Sequence, residues 1–224
     1  MRREVSEQDL AKKYKANDMV RADCNGCEGC SACCQGMGES VILDPMDIAR
    51  LASGLGISQA QLLQSALELH VSDGVILPNM KMAGEEEKCC FLNEEGRCRV
   101  HAIRPGVCRL FPLGRIYEEG GFSYFLQHQE CPKPVKSKVK IIKWIDTPGL
   151  KQYESYILRW HELLEAVREL LEKSEDEQLA RDINSYLLQN FYLKEYPASD
   201  FYAEFEVRRE SFQKLLKVLS AGQK

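Results

Sequence analysis

The chain has 224 residues, 44% hydrophobic and 29% charged, with a formal net charge of −4. That is enough apolar material for one generous domain or two small ones, and the weak acidic balance gives no general reason to expect nucleic acid or an anionic membrane as partner. No run of about 18 apolar residues occurs, so no membrane span is predicted and the chain reads as cytoplasmic.

The N-terminal stretch MRREVSEQDLAKKYK is charged and predicts a short surface helix within an arm over residues 1–20. Then comes CNGCEGCSACC, with Cys24, Cys27, Cys30, Cys33 and Cys34 in eleven residues. In a reducing compartment thiols stay free, and neighbours such as Cys33-Cys34 and Cys89-Cys90 do not bridge each other without strain. Clustered thiols there hold metal or do redox chemistry.

A stretch of 54 residues without cysteine follows. Asp44-Pro45 predicts a capped helix start, closed at Gly54, and Ser58 with Gln61 predicts a capping box for QAQLLQSALEL. VILPN after Gly74 reads as a short extended segment. In CCFLNEEGRCRVHAIRPGVCRLFP, Cys89, Cys90, Cys98 and Cys108 return, and RCRVHAI predicts a short strand. RIYEEGGFSYFLQ predicts a hairpin turning at Gly120-Gly121, and Cys131 is the last thiol. KPVKSKVKIIK predicts a strand or linker with one solvated face, and Thr147-Pro148-Gly149 a boundary.

Beyond it, Tyr153, Tyr156, Ile157, Trp160, Leu163, Leu164, Val167, Leu170 and Leu171 recur at helical spacing. Ser174 with Glu177 predicts a box for a second helix, and Pro197 precedes a third carrying Phe201, Phe205 and Phe212. Such stripes read as core, with docking of a partner or substrate peptide as the alternative. The expected architecture is α+β and mostly α. A small irregular cysteine-rich domain with short strands spans 21–146, and a helical bundle spans 147–224.

Converging thiolates select zinc, copper(I) or iron–sulfur clusters over hard cations. Cys24, Cys27, Cys30 and Cys34 match the C-x2-C-x2-C-x3-C spacing of bacterial ferredoxins, although Cys33 intrudes and Gln35 replaces the usual proline. An iron–sulfur cluster, in the 4Fe-4S form, is therefore the first expectation, and zinc the second. Arg104 and Arg109 flank Cys108 and are candidates to favour thiolate and offset the charge of a cluster; the alternative is a surface ion pair with Glu85-Glu86-Glu87. His101 is a lesser candidate as a nitrogen ligand.

CEGCSACC, the CFL from Cys89-Cys90-Phe91-Leu92 with one cysteine doubled, GRC at Gly96-Arg97-Cys98, RPGVCRLFP around Cys108 and the closing Cys131-Pro132 together resemble the YkgJ-type CxxCxxCC cysteine-cluster family. That family is described as zinc- or iron-chelating and includes relatives of flagellin lysine N-methylase. The resemblance implies eight shared thiols, Cys27, Cys30, Cys33, Cys34, Cys89, Cys98, Cys108 and Cys131, with Cys24 and Cys90 as additions. Two functions are open at this point. One is a module whose metal or cluster serves structure, electron transfer or metal handling. The other is an iron–sulfur-containing protein lysine methyltransferase, for which the chain shows no donor-binding glycine loop after a strand.

Overall fold

The computed structural model describes residues 5–23, 30–133, 136–174, 176–197 and 200–222. No helix among them is long and apolar enough to cross a membrane. The predicted N-terminal helix is a single turn, α1 (Glu7–Leu10), held by a reciprocal cap between Ser6 and Asp9. Strand β1 (Met19–Asp23) follows.

Helix α2 (Pro45–Leu55) starts as expected, with Asp44 capping and Asp47 completing the box. It ends later than predicted. Gly54 stays helical, and Gly56, at φ 68°, is the left-handed residue whose N–H reaches the Ala52 and Ser53 carbonyls. Helix α3 (Gln59–Ala66) has the Ser58–Gln61 box. It stops short of the predicted LEL, because the backbone turns extended at Leu67 and continues as β2 (Leu67–Ser72). Asp73 and Gly74, at φ 52° and 80°, make the two-residue turn into β3 (Val75–Met80).

The cysteine segment is nearly devoid of regular structure. Strands β4 (Met82–Ala83) and β5 (Lys88–Cys89) form one short pair. The strand predicted for RCRVHAI is absent: the segment carries one bridge, Leu92 to Cys98, and a 3-10 turn at His101–Ile103. Arg99 donates its N–H across to the Phe91 carbonyl, but His101 and Ile103 spend theirs on the Cys98 and Val100 carbonyls, so the pairing stops after one bridge. Helix α4 (Gly106–Leu110) follows Pro105.

The predicted hairpin forms as β6 (Leu113–Glu118) and β7 (Gly121–Leu126), in unbroken register from Leu113↔Leu126 to Glu118↔Gly121. Strand β8 (Ser137–Lys140) pairs antiparallel with β1. Then come α5 (Ile141–Ile145), α6 (Leu150–Glu172), α7 (Glu177–Leu187) and α8 (Phe201–Gly222). The cap of α7 is Asp176, whose carboxylate accepts from Gln178 and Leu179, rather than the predicted Ser174. The chain is thus mostly α with short antiparallel strand pairs.

These elements form two compact units, residues 1–42 with 80–153, and 43–79 with 154–224. The first buries Tyr14, Val20, Ala22, Leu113, Tyr124, Phe125, Ile141 and Ile145. The second buries the helical stripe, including Tyr156, Trp160, Leu163 and Val167, with Phe191, Phe205 and Phe212 from the later segments. Its rings meet edge to face, as at Tyr156 and Phe205 (4.6 Å), or stacked, as at Tyr186 and Phe212 (4.7 Å). Two buried polar side chains tie this unit together. Asn184 accepts from the Ile76 N–H and donates to the Gly74 and Ala180 carbonyls. Arg208 donates to the carbonyls of Asn190, Lys194 and Glu195, which the π-helical turn Leu188–Leu193 and the chain after it leave without helical partners.

Candidate metal centre

Local hydrogen bonding holds each cysteine-bearing segment in the first unit. Ala32–Cys34 is a 3-10 turn closed by Cys34 N–H to the Ser31 carbonyl at 2.8 Å, and Gln35 anchors it by donating to the Ser31 hydroxyl. Cys89 sits on β5 opposite Met82, and Cys90 donates its N–H to the Lys81 carbonyl. The turn between Leu92 and Cys98 is fastened by Asn93, whose side chain accepts from the Arg97 N–H at 2.7 Å. Gly96 takes φ 71° there, a conformation that L side chains rarely adopt.

Cys108 rides on α4, which Arg109 secures. The Arg109 guanidinium is buried and donates to the carbonyls of Ala102, Arg104 and Asp146. Arg109 therefore braces the backbone on either side of Cys108, a different place from the surface pairing considered for it. Arg104 lies at the cavity beside His101, with Nη1 2.9 Å from Nε2.

Cys30, Cys33, Cys34, Cys89, Cys98 and Cys108 line one cavity of about 90 Å³. Met80, Phe91, Leu92, Val100 and Pro105 form its apolar walls, and Arg97, His101 and Arg104 its polar side. Cys90 and Cys131 are not among the lining residues; the Cys90 thiol instead faces the Met80 sulfur at 3.8 Å. Cys24 and Cys27 lie outside the described residues. Met80 escaped the sequence reading, which counted only cysteines; a soft thioether buried beside them is the signal that would have found it.

Crowding sets the thiol acidities. A hydrogen bond with Cys33 pushes the Cys34 thiol up, with burial and the charges of Cys33, Cys89 and Cys108 adding to it. A hydrogen bond from Cys90 pulls Cys89 down to about 7 against the effect of burial, and Cys90 is raised in return. Burial raises Cys98 and lowers His101. In the Cys89–Cys90 pair the shared hydrogen bond thus favours the proton on Cys90 and charge on Cys89.

The donor set is dominated by sulfur. Six thiols, one thioether and the His101 imidazole face the space, and among the described residues no carboxylate does, which suits a soft or borderline ion and not calcium or magnesium. Among the described residues no three Cys, His, Asp or Glu side chains are already drawn together tightly enough to hold an ion. Ligation would require the thiols to rotate inward from the cavity wall.

No curated protein and no solved structure matches the chain. The model of the CxxCxxCC family, described as a "Putative zinc- or iron-chelating domain", matches residues 26–132, just under half the chain. That range contains every thiol except Cys24, and all six that line the cavity. The segment from 26 to 132 is therefore similar to the CxxCxxCC family of zinc- or iron-chelating domains.

Proposed function

We propose that the protein is a metal-binding module whose cavity thiols, with Cys27 and Cys131 from the family pattern, hold an iron–sulfur cluster. The carrying observation is six thiols around one small cavity, enough for the four that either a cluster or a tetrahedral zinc uses. The ferredoxin-like spacing that ends at Cys30 and Cys34 favours iron, and zinc is the competing occupant. An iron–sulfur cluster would supply one-electron chemistry at this position; zinc would supply a cross-link.

The chain's own residues have separate tasks in this reading. The six cavity thiols are donors, and Phe91, Leu92 and Val100 limit water access to them. Arg104 places positive charge at the cavity's polar side, where it offsets thiolate charge. Arg109 keeps the α4 end in place through three carbonyls, so that Cys108 faces the space. Anaerobic purification followed by an absorption spectrum, iron and zinc analysis and acid-labile sulfide decides between occupants. Iron with stoichiometric sulfide is the expected result. A colourless protein with stoichiometric zinc would replace the cluster by a structural ion.

A further inference from the structure

Strands β1 and β8 make a two-stranded ribbon with two unlike faces. Val20 and Ala22 point inward and are buried, with Val139 paired to Val20. Met19, Arg21, Lys138 and Lys140 point outward and are exposed. The register sets Arg21 directly opposite Lys138 and Met19 opposite Lys140. Like charges opposite each other on an antiparallel pair, about 5 Å apart, destabilise the sheet. The ribbon thus carries a repulsion from which its own fold gains nothing.

Partners among the described residues do not relieve it. The side chains of Lys138, Lys140 and Lys143 make no hydrogen bond or ion pair among the described residues. Among the described residues, the Arg21 side chain reaches the Lys136 carbonyl alone, at 3.4 Å. The acids at the two ends are engaged elsewhere: Asp23 accepts from the Ser137 hydroxyl, and Asp18 from the Lys15 N–H. Alternate positions along a strand lie about 6.6 Å apart, so Lys138 and Lys140 form a short row with Arg21 beside it.

We infer that this outward face is a docking surface for an acidic segment of a partner protein. Charge complementarity supplies the attraction and steers the encounter. The rest of the face decides the class of partner. It carries no aromatic side chain on which bases could stack, and a handful of cations is a narrow footprint for a nucleic-acid backbone. Met19 on the ribbon and Ile142, two residues after Lys140 at the start of α5, are exposed apolar side chains, at 47% and 39%. A mixture of exposed methionine, aliphatic and basic groups suits a small, transient protein interface. The position along the chain is suggestive too. β1 runs into the first cysteine loop, and β8 follows Cys131 by six residues, so a partner held here sits at the roots of both cysteine segments. None of the ribbon residues lines the cavity, so the surface does not depend on which ion the thiols hold.

The test uses the full-length protein and fluorescence anisotropy of a labelled poly-glutamate peptide at low salt. Saturable binding is expected, weakening as salt is added. The Lys138→Gln/Lys140→Gln pair and, separately, Arg21→Gln should each weaken it about fivefold or more. Lys214→Gln/Lys217→Gln on α8 should leave it unchanged. These substitutions remove repulsion, so their melting temperatures should not fall, which separates lost docking from lost folding. Absence of peptide binding, or binding indifferent to the ribbon variants, overturns the assignment. Tighter binding of oligo-dT or of phosphatidylserine vesicles than of the peptide, with the same dependence on Lys138 and Lys140, also overturns it, in favour of a nucleic-acid or membrane surface.

Discussion

The Sγ atoms of Cys33 and Cys34 lie 3.9 Å apart on one 3-10 turn, and both face the cavity. Adjacent residues seldom point the same way. Here the tight turn brings the two sulfurs together, and the proton that Cys34 retains is one a bound cation would displace. Single Cys33→Ser and Cys34→Ser variants, purified anaerobically, should therefore contain less than half the metal per chain of the parent. Cys90→Ser should keep its content, since Cys90 faces Met80 and does not line the cavity. Elemental analysis of the three variants checks this, and equal losses in all three would count against the ligand set.

Metal contributes to folding wherever the site does not exist in the unfolded chain. Structural zinc in small domains is worth roughly 10–16 kcal/mol, as much as a whole domain's net stability. Stripping metal should therefore cost the first unit its cooperative transition. The helices of the second, with their aromatic core, should persist. Far-UV circular dichroism melts with and without chelator should show one transition lost and one kept.

Gly114 stands opposite Phe125 on the β6–β7 hairpin, and a Cβ added there would lie 2.2 Å from the ring. The glycine lets that ring lie flat across the neighbouring strand. Gly114→Ala should destabilise the first unit by about 1–3 kcal/mol through overpacking, measured by urea denaturation. Gly120→Ala meets no neighbour, but its φ of 70° strains any L side chain, so it serves as a control for backbone strain alone.

The Tyr156 hydroxyl is fully buried, accepts from the Met46 N–H and donates to the Asp44 carboxylate, both at 3.1 Å. It thus reinforces the cap of α2 from helix α6. Tyr156→Phe leaves the ring packing intact and strands one buried donor and part of one acceptor, a cost of about 1–3 kcal/mol. A shift in denaturation midpoint without a change in slope would fit; no shift would remove the hydroxyl from the account.

Asp9 accepts from the backbone and ring nitrogens of His128 and from Ser6. The His128 backbone N–H, chiefly, holds its carboxyl far below the ordinary carboxylate value. A carboxylate depressed in the folded state stabilises it at neutral pH, and that contribution is lost as pH falls below about 4, where the unfolded chain takes up the proton first. Asp9→Asn should be less stable than the parent at pH 7, and the gap should narrow at pH 3. A pH-independent gap in melting temperature would show that the charge is not what matters.

Much of this molecule was legible residue by residue. Asp44-Pro45 and Ser58-Gln61 start helices because capping is a contact within four residues, and the α6 stripe is buried because helical periodicity is local too. The Asp73-Gly74 turn was equally available, since that dipeptide favours the two left-handed residues a tight hairpin needs, but it went unread. RCRVHAI misled for the opposite reason. Its alternation suits a strand, yet pairing with residues 91–93 ends after one bridge, where the amides of His101 and Ile103 close a turn instead.

For the site, cysteine count and spacing determined that soft donors cluster, because ligand chemistry is written in side-chain type. Which thiols share a cavity was not written there. Cys90, next to Cys89, turns to Met80, and Arg109, next to Cys108, is spent on backbone carbonyls. Nor could the sequence assign residues 43–79 to the same unit as 154–224, or place Arg21 against Lys138. Those relationships join positions far apart in the chain, and contacts of that kind are chosen by packing and register, which only the folded structure settles.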